Sequence, residues 1–210
     1  MTFDSKKFIA LAIVLCAAGI FSYTFLHAAV YTANPDDLDS GIAPAGMPAA
    51  LLSDAATSSA EAGVPVRLRI PKIGVDANVV DVGLGKTGNM AVPYTFTDVG
   101  WYRYGPKPGQ VGSAVIDGHV DNGLGTPAVF INLTRLEPGD DLYIDTKAGE
   151  TLHFKVEETA AYAVADVPLQ KVFNRNDMPR LTLITCEGTW EPGQKMYDER
   201  RVVYAVLQSS

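Results

Sequence analysis

The chain has 210 residues, 47% hydrophobic and 20% charged, with a formal net charge of −7. That length holds one domain of ordinary size plus accessory segments, and the composition excludes a disordered chain. The acidic balance argues against sequence-independent nucleic-acid binding, which needs a basic surface to displace counterions, and the absence of any CxxC pair, HExxH run or His/Cys cluster leaves no metal or other cofactor to expect.

The first element is a membrane segment. From Phe8 to Val30 the chain runs 23 residues without a charge, about 35 Å as a helix and enough to cross a bilayer. Lys6 and Lys7 precede it, and Asp36, Asp37 and Asp39 follow. This asymmetry puts residues 1–7 in the cytoplasm and the rest of the chain outside. Residues 8–31 are therefore read as an uncleaved signal anchor, giving a single-pass protein of the cell membrane with an extracellular domain. A signal peptide cleaved near Ala28-Ala29-Val30-Tyr31 is the competing reading, for which the apolar core is long. Residues 32–63 are rich in Ala, Pro, Gly, Ser and Asp and lack an apolar period, as a flexible tether does. The alanines over 49–60 leave room for a short helix there.

Residues 64–210 form the extracytoplasmic domain, and their pattern is that of short strands. Val66-Arg67-Leu68-Arg69-Ile70 alternates apolar and polar, and after Pro71 the chain is expected to continue extended over 72–75. Further strands are predicted over 78–82, 111–116, 142–145, 152–156, 180–185 and 202–207, with single helical turns around 127–133 and 168–173. The glycines between Gly83 and Gly88 lack the strand–GxxxxGK[ST]–helix setting and read as a turn, not a phosphate loop. Many short strands divided by Gly, Pro and Asp turns imply a mainly β fold, a sandwich or barrel.

Cys186, at the end of Leu181-Thr182-Leu183-Ile184-Thr185-Cys186, is the only cysteine outside the membrane segment. Cys16 lies in the anchor, so the two cannot pair. An unpaired cysteine in an external domain points to a reactive thiol or an intermolecular bridge, although a small buried residue satisfies the same pattern. A thiol nucleophile needs a proton partner. His153, between Leu152 and Phe154, reads as an exposed strand residue. His119 follows the apolar Val115-Ile116-Asp117-Gly118 on the way into a loop, where a rigid sheet commonly carries functional groups. A tetrahedral intermediate also needs its oxyanion held. The backbone N–H of Glu187, Thr185 beside the thiol, and one of Arg200 and Arg201 are the candidates. Alternation allows only one arginine to face the site, and Arg200, on the face of Val202 and Tyr204, is expected to be that one.

Together these elements resemble the sortases, the cysteine transpeptidases that attach proteins to the Gram-positive cell wall. The likeness runs over most of 66–207, through Arg69-Ile70-Pro71-Lys72-Ile73-Gly74-Val75, Gly112-Ser113-Ala114-Val115-Ile116-Asp117-Gly118-His119 and Thr182-Leu183-Ile184-Thr185-Cys186. It implies an eight-stranded β-barrel with short helices, preceded by a transmembrane helix. It also implies Cys186 as nucleophile, His119 as proton donor and acceptor, and Arg200 at the substrate carbonyl or oxyanion. The implied substrates are proteins bearing an LPxTG-like sorting signal, cut between Thr and Gly, and an amine of a cell-wall precursor such as lipid II. The context Gly118-His119-Val120-Asp121 and the short stretch between Cys186 and Arg200 resemble the actinobacterial class F or class E members. No equivalent of the acidic calcium site of some class A members is expected: Asp98, Asp121, Asp140 and Asp141 suit ordinary turns. Trp190 is a candidate for keeping water from an acyl-enzyme.

Two other readings stand beside this one. An L,D-transpeptidase also uses a cysteine on the cell wall, but carries it in a Ser-x-Gly-Cys-like context with a nearby His-Gly that the chain lacks. A non-catalytic anchored β-domain binding a wall ligand would leave Cys186 unreactive.

Overall fold

The computed structural model describes residues 63–209. The anchor at 8–31, the tether up to residue 62 and the alanine-rich stretch at 49–60 lie outside the described residues. Among the described residues no helix is long and apolar enough to cross a membrane.

Eight strands close into a barrel: β1 (Pro65–Ile70), β2 (Val75–Val82), β3 (Val99–Tyr102), β4 (Gly112–Asp117), β5 (Asp141–Thr146), β6 (Thr151–Ala163), β7 (Pro179–Glu191) and β8 (Met196–Leu207). They neighbour one another in the order β1-β2-β3-β4-β7-β8-β6-β5. The β2–β3 and β4–β7 pairs are parallel and the rest antiparallel. The eight-stranded barrel with short helices is thus the fold of the domain.

β1 shows why the pattern was readable. Leu68 and Ile70 are fully buried, while Arg67 and Arg69 point outward and bridge to the flanking strands, to Asp76 of β2 and Asp145 of β5. Such exposed cross-strand charge pairs are screened by solvent and serve mainly to favour this register. The chain does not continue extended after Ile70. Pro71–Ile73 makes a 3-10 turn that ends on Gly74 at φ 68°, a left-handed position that favours glycine, and β2 starts only at Val75. The expected turn of helix around 127–133 is also absent: the helical piece there is a 3-10 turn at Leu133–Arg135. The other prediction holds, as α1 (Leu169–Phe173).

Apolar packing occurs on two sides of the sheet. Inside the barrel, Leu68, Ile70, Val99, Trp101, Ile116, Phe130, Leu181, Leu183 and Val203 belong to one core cluster. On the outer face of β4, β7 and β8, the residues Val115, Ile184, Val202 and Tyr204 form a second cluster, covered by Met90 of the β2–β3 connection and by Val172 and Phe173 of α1. These strands are therefore buried on both faces, which explains the uncharged, largely apolar run leading to Cys186, in which threonine is the only polar residue. The functional residues stand where β4, β7 and β8 emerge from this double burial.

Candidate active site

β7 and β8 pair without interruption from Arg180↔Val206 to Glu187↔Glu199, and within that ladder Cys186 is the direct partner of Arg200. Opposed residues of an antiparallel pair share a face. Ile184 and Val202, one pleat back on each strand, belong to the outer cluster, so Cys186 and Arg200 lie on that outer face. The register changes only beyond Glu187, at Gly188 and Thr189. There Gly188 has φ +87°, and a Cβ on it would lie 2.1 Å from Asp198 Oδ1. The bulge thus falls past the Cys186–Arg200 pair and leaves their common face intact.

Cys186 is half-buried and unpaired. Arg200 is 2% exposed, and its Nη1 donates to the carbonyls of Tyr197 at 2.9 Å and Glu199 at 2.8 Å, which fixes the guanidinium against the backbone at the mouth of the ladder. Arg201 faces the other way. Its Nη2 donates to Glu187 Oε1 at 2.7 Å, and its ladder partner is Thr185. The Thr185 hydroxyl in turn donates to the Gly118 carbonyl at 2.7 Å, on the face opposite the thiol.

That last bond ties β7 to the histidine. β4 runs parallel to β7 with Asp117 opposite Ile184, and the Gly118 N–H continues the ladder to the Ile184 carbonyl at 3.1 Å. His119 is the next residue, so it leaves β4 beside the end of β7 that carries Cys186. Its Nε2 lies 2.9 Å from the Pro93 carbonyl, and its ring packs 4.8 Å from Phe96. A carbonyl only accepts, so the neutral ring holds its proton on Nε2 and leaves Nδ1 for proton exchange. The backbone at Gly118 is closely covered: a Cβ there would lie 2.7 Å from Phe130 Cδ2 and 2.9 Å from Val129 Cγ1. Gly118→Ala is accordingly expected to lower stability by about 1–3 kcal/mol, the ordinary cost of overpacking, read as a lower denaturant midpoint at unchanged slope. An unchanged midpoint would mean that the 119–130 loop lifts off freely.

Electrostatics acts on the pair in opposite directions. Burial pushes the Cys186 thiol above its ordinary value; Arg200 pulls it back, while Asp117 and Asp121 add to the rise. Burial lowers His119, against the Pro93 carbonyl and Asp121, which favour its charged form. At neutral pH both groups therefore rest uncharged. Asp121 does more than shape its turn. Its Oδ1 accepts from the Gly123 N–H at 2.8 Å as turn chemistry requires, but its Oδ2 accepts from Tyr197 of β8 at 2.5 Å, joining the histidine loop to the strand of Arg200. Burial, and then Asp121, push the Tyr197 hydroxyl up to about 12. Trp190 packs edge-on against Tyr197 at 5.4 Å and stays 43% exposed, at the rim of the site.

The remaining polar residues have structural partners. His153 on β6 stacks on Tyr143 and contacts Asp141 at 2.7 Å, away from Cys186. Asp141 opens β5 rather than a loop and also accepts from Lys155. Asp98 accepts from Thr95 and Asn78, and Asp140 from the Glu137 N–H. Among the described residues no group of three His, Cys, Asp or Glu is gathered to hold a metal. Pro93, Phe96 and Tyr197 were not anticipated. Asp117, a charged residue closing an apolar strand just before Gly118-His119, carried a visible signal that was not read as a site.

The chain matches the Sortase domain family over residues 68–208. Among solved structures it is similar to sortase A from Corynebacterium diphtheriae, at 23% identity and a TM-score of 0.52 over 70% of this chain and 61% of that one. It is similar also to sortase C1 from Streptococcus suis, at 22% identity and a TM-score of 0.54, over 70% of this chain and 73% of that one. A Clostridium perfringens sortase D5 transpeptidase matches at 21% identity and a TM-score of 0.52, over 70% of this chain and 79% of that one. At these identities the structures speak for the fold alone, and the chain spans about three fifths of the first of them. No curated protein matches the chain.

Proposed function

The chain belongs to the sortase family of cysteine transpeptidases, and we propose that it cleaves an LPxTG-like sorting signal between Thr and Gly and transfers the acyl part to a cell-wall amine. The observation that carries this reading is the cross-strand pair of Cys186 and Arg200 on one face, with His119 leaving the adjacent parallel strand beside them. In the first half-reaction the Cys186 sulfur attacks the threonine carbonyl carbon while His119 takes up the thiol proton. The tetrahedral oxyanion forms beside Arg200 and the Glu187 backbone N–H. Collapse breaks the Thr–Gly C–N bond, and His119 returns its proton to the leaving amine, leaving a thioester on Cys186. In the second half an acceptor amine attacks the thioester, gives its proton to His119 and expels the thiolate, so the product is again an amide. Thr185 acts in this scheme by tying β7 to Gly118, and so holding the thiol and imidazole strands together.

Proteins with the sorting signal and an amine of a cell-wall precursor such as lipid II are the partners in this reading. Residues 8–31 hold the protein in the cell membrane with residues 64–210 outside. The Gly118-His119-Val120-Asp121 context favours a class F or class E type of specificity. The test is incubation of the protein with a panel of sorting-signal peptides and an amine, with mass detection. An acyl–amine adduct cut after threonine supports the proposal, and unchanged peptide across the panel overturns it.

The neutral resting pair has a kinetic consequence. The reactive thiolate–imidazolium form is a minor population, because the thiol sits above and the imidazole below its ordinary value. Alkylation of Cys186 by a neutral electrophile should therefore rise to a midpoint above the ordinary thiol value of about 8.5. The acid limb of kcat/KM should fall below the ordinary imidazole value of about 6.5. An alkylation midpoint below about 7 would instead indicate a preformed ion pair.

A further inference from the structure

Asp117 is the last residue of β4 and 3% exposed, and neither of its carboxylate oxygens has a hydrogen-bond partner. It is enclosed by the strands that build the site. Its cross-strand partner on β3 is Gly100, where a Cβ would lie 2.6 Å from Asp117 Oδ1. The same Cβ would lie 2.9 Å from Val82 Cγ1 and 3.1 Å from Pro93 Cδ, so the end of β2 and the β2–β3 connection close around the same spot. Glycine at position 100 is what leaves room for the carboxyl. An unpaired buried carboxylate is strongly unfavourable, and an apolar residue would simply have extended the face of Val115. Packing alone does not account for an acid here.

Its place accounts for it better. Asp117 stands two residues before His119, on the face of Val115. Its ladder partner Ile184 stands two residues before Cys186 on that same outer face. It also lies beside Pro93, whose carbonyl holds the His119 ring. We propose that Asp117 is a positioning residue for the protons of the site: its carboxyl and the Cys186 thiol share a single negative charge, the acid staying neutral while the thiolate exists. This rests on Cys186 being the nucleophile. Only one of the two groups ionises at a time, because the carboxyl is buried, the thiol half-buried, and each opposes the other's charge. When the sulfur is a neutral thioester nothing opposes ionisation of the carboxyl, which can then release its proton to solvent, and it takes a proton back from solvent as the thiolate is released. Burial raises the carboxyl well above its ordinary range, and an ionised Asp117 pushes the thiol up, in agreement with this coupling. The other groups acting on the thiol are Arg200 of β8, which favours the thiolate, and Asp121 beyond β4, which opposes it. From the remaining neighbours, β3 contributes Tyr102, two residues from Gly100, itself raised by burial; Val82 and Pro93 do not titrate.

The test uses thiol alkylation, which needs no substrate and no transpeptidation. In Asp117→Asn the thiol loses its competitor, and iodoacetamide should react with Cys186 about threefold to tenfold faster on the low-pH side of the midpoint, a downward shift of up to about one unit. The alkaline limb of kcat/KM, which the thiol sets, should move down with it, at unchanged KM. Asp117→Ser is a smaller uncharged variant should the amide not be accommodated. The reciprocal measurement needs neither: in Cys186→Ala the Asp117 carboxyl carbon, followed by NMR, should titrate at lower pH than in the native protein. A thiol profile identical to the native one in a folded variant, or a carboxyl midpoint unmoved by loss of the sulfur, overturns the proposal. Coupled titration in a protein that acts on no sorting-signal peptide would leave the coupling standing and remove only the assigned reaction.

Discussion

Cys186→Ala is expected to abolish transfer of a sorting-signal peptide to an amine, by a factor on the order of 10⁶, as when a nucleophile is removed from a site whose parts act together. The barrel should remain folded. Cys186 stands at the mouth of β7, past the doubly buried run ending at Ile184, and is itself only half-buried. Its backbone pairing with Arg200 does not depend on the side chain. Removing one sulfur there creates no enclosed cavity of the kind that costs several kcal/mol in a core. Circular dichroism and the denaturant midpoint report the fold, and mass detection of the peptide product reports the activity. Retained turnover in the folded variant would remove Cys186 from the chemistry. A non-catalytic β-domain makes the contrasting prediction that native and variant protein are equally inert and that the native thiol resists alkylation.

The strands most legible in the sequence are those with one wet face or a long apolar run. β1 alternates because its arginines reach out to Asp76 and Asp145 while Leu68 and Ile70 fill the barrel. The apolar part of β7 was visible because it is buried on both faces. β3 was not predicted: its four residues, Val99–Tyr102, are all buried and one is glycine, so neither alternation nor β-propensity marks it. The second half of β6 escaped for the opposite reason. Beyond the bulge at Glu157 its residues, Tyr162 apart, are polar or alanine and half-buried at most; they are held by pairing with β8, with only Tyr162 packing on the outer cluster. The same division runs through the site. A lone external thiol and a histidine just past an apolar strand stand out in a sequence. A backbone carbonyl such as that of Pro93 leaves no trace in residue type. The setting of Asp117 depends on a glycine of β3 that alternation never brought to notice.

The second large effect separates two adjacent arginines. Arg200→Ala is expected to lower turnover by about 10²–10³, the usual cost of removing a donor that acts on developing charge, while Arg201→Ala should change turnover by only a few-fold. Alternation and the family resemblance both point to Arg200, and a bulge at the start of β8 would reverse the first of these arguments. The ladder is continuous through Cys186↔Arg200, and the register shift comes beyond Glu187. Arg200 therefore shares the thiol's face, and its charge is already one of the forces lowering the thiol. Loss of Arg200 should then raise the alkylation midpoint of Cys186 as well as slow turnover, a pairing of effects that lost packing would not produce. Lysine at 200 should restore only part of the rate. An ammonium supplies a charge but not the planar fork with which the arginine can bond the Tyr197 and Glu199 carbonyls and still present donors outward. Arg201→Ala should instead show in stability. It leaves the Glu187 carboxylate, whose Oε2 already lacks a partner, without its ion pair, a loss of about 1–3 kcal/mol. Turnover of both variants on one peptide, with their denaturant midpoints, decides the matter. A larger turnover loss at 201 would move the cation to the other face of the strand, and small equal losses would take arginine out of the mechanism.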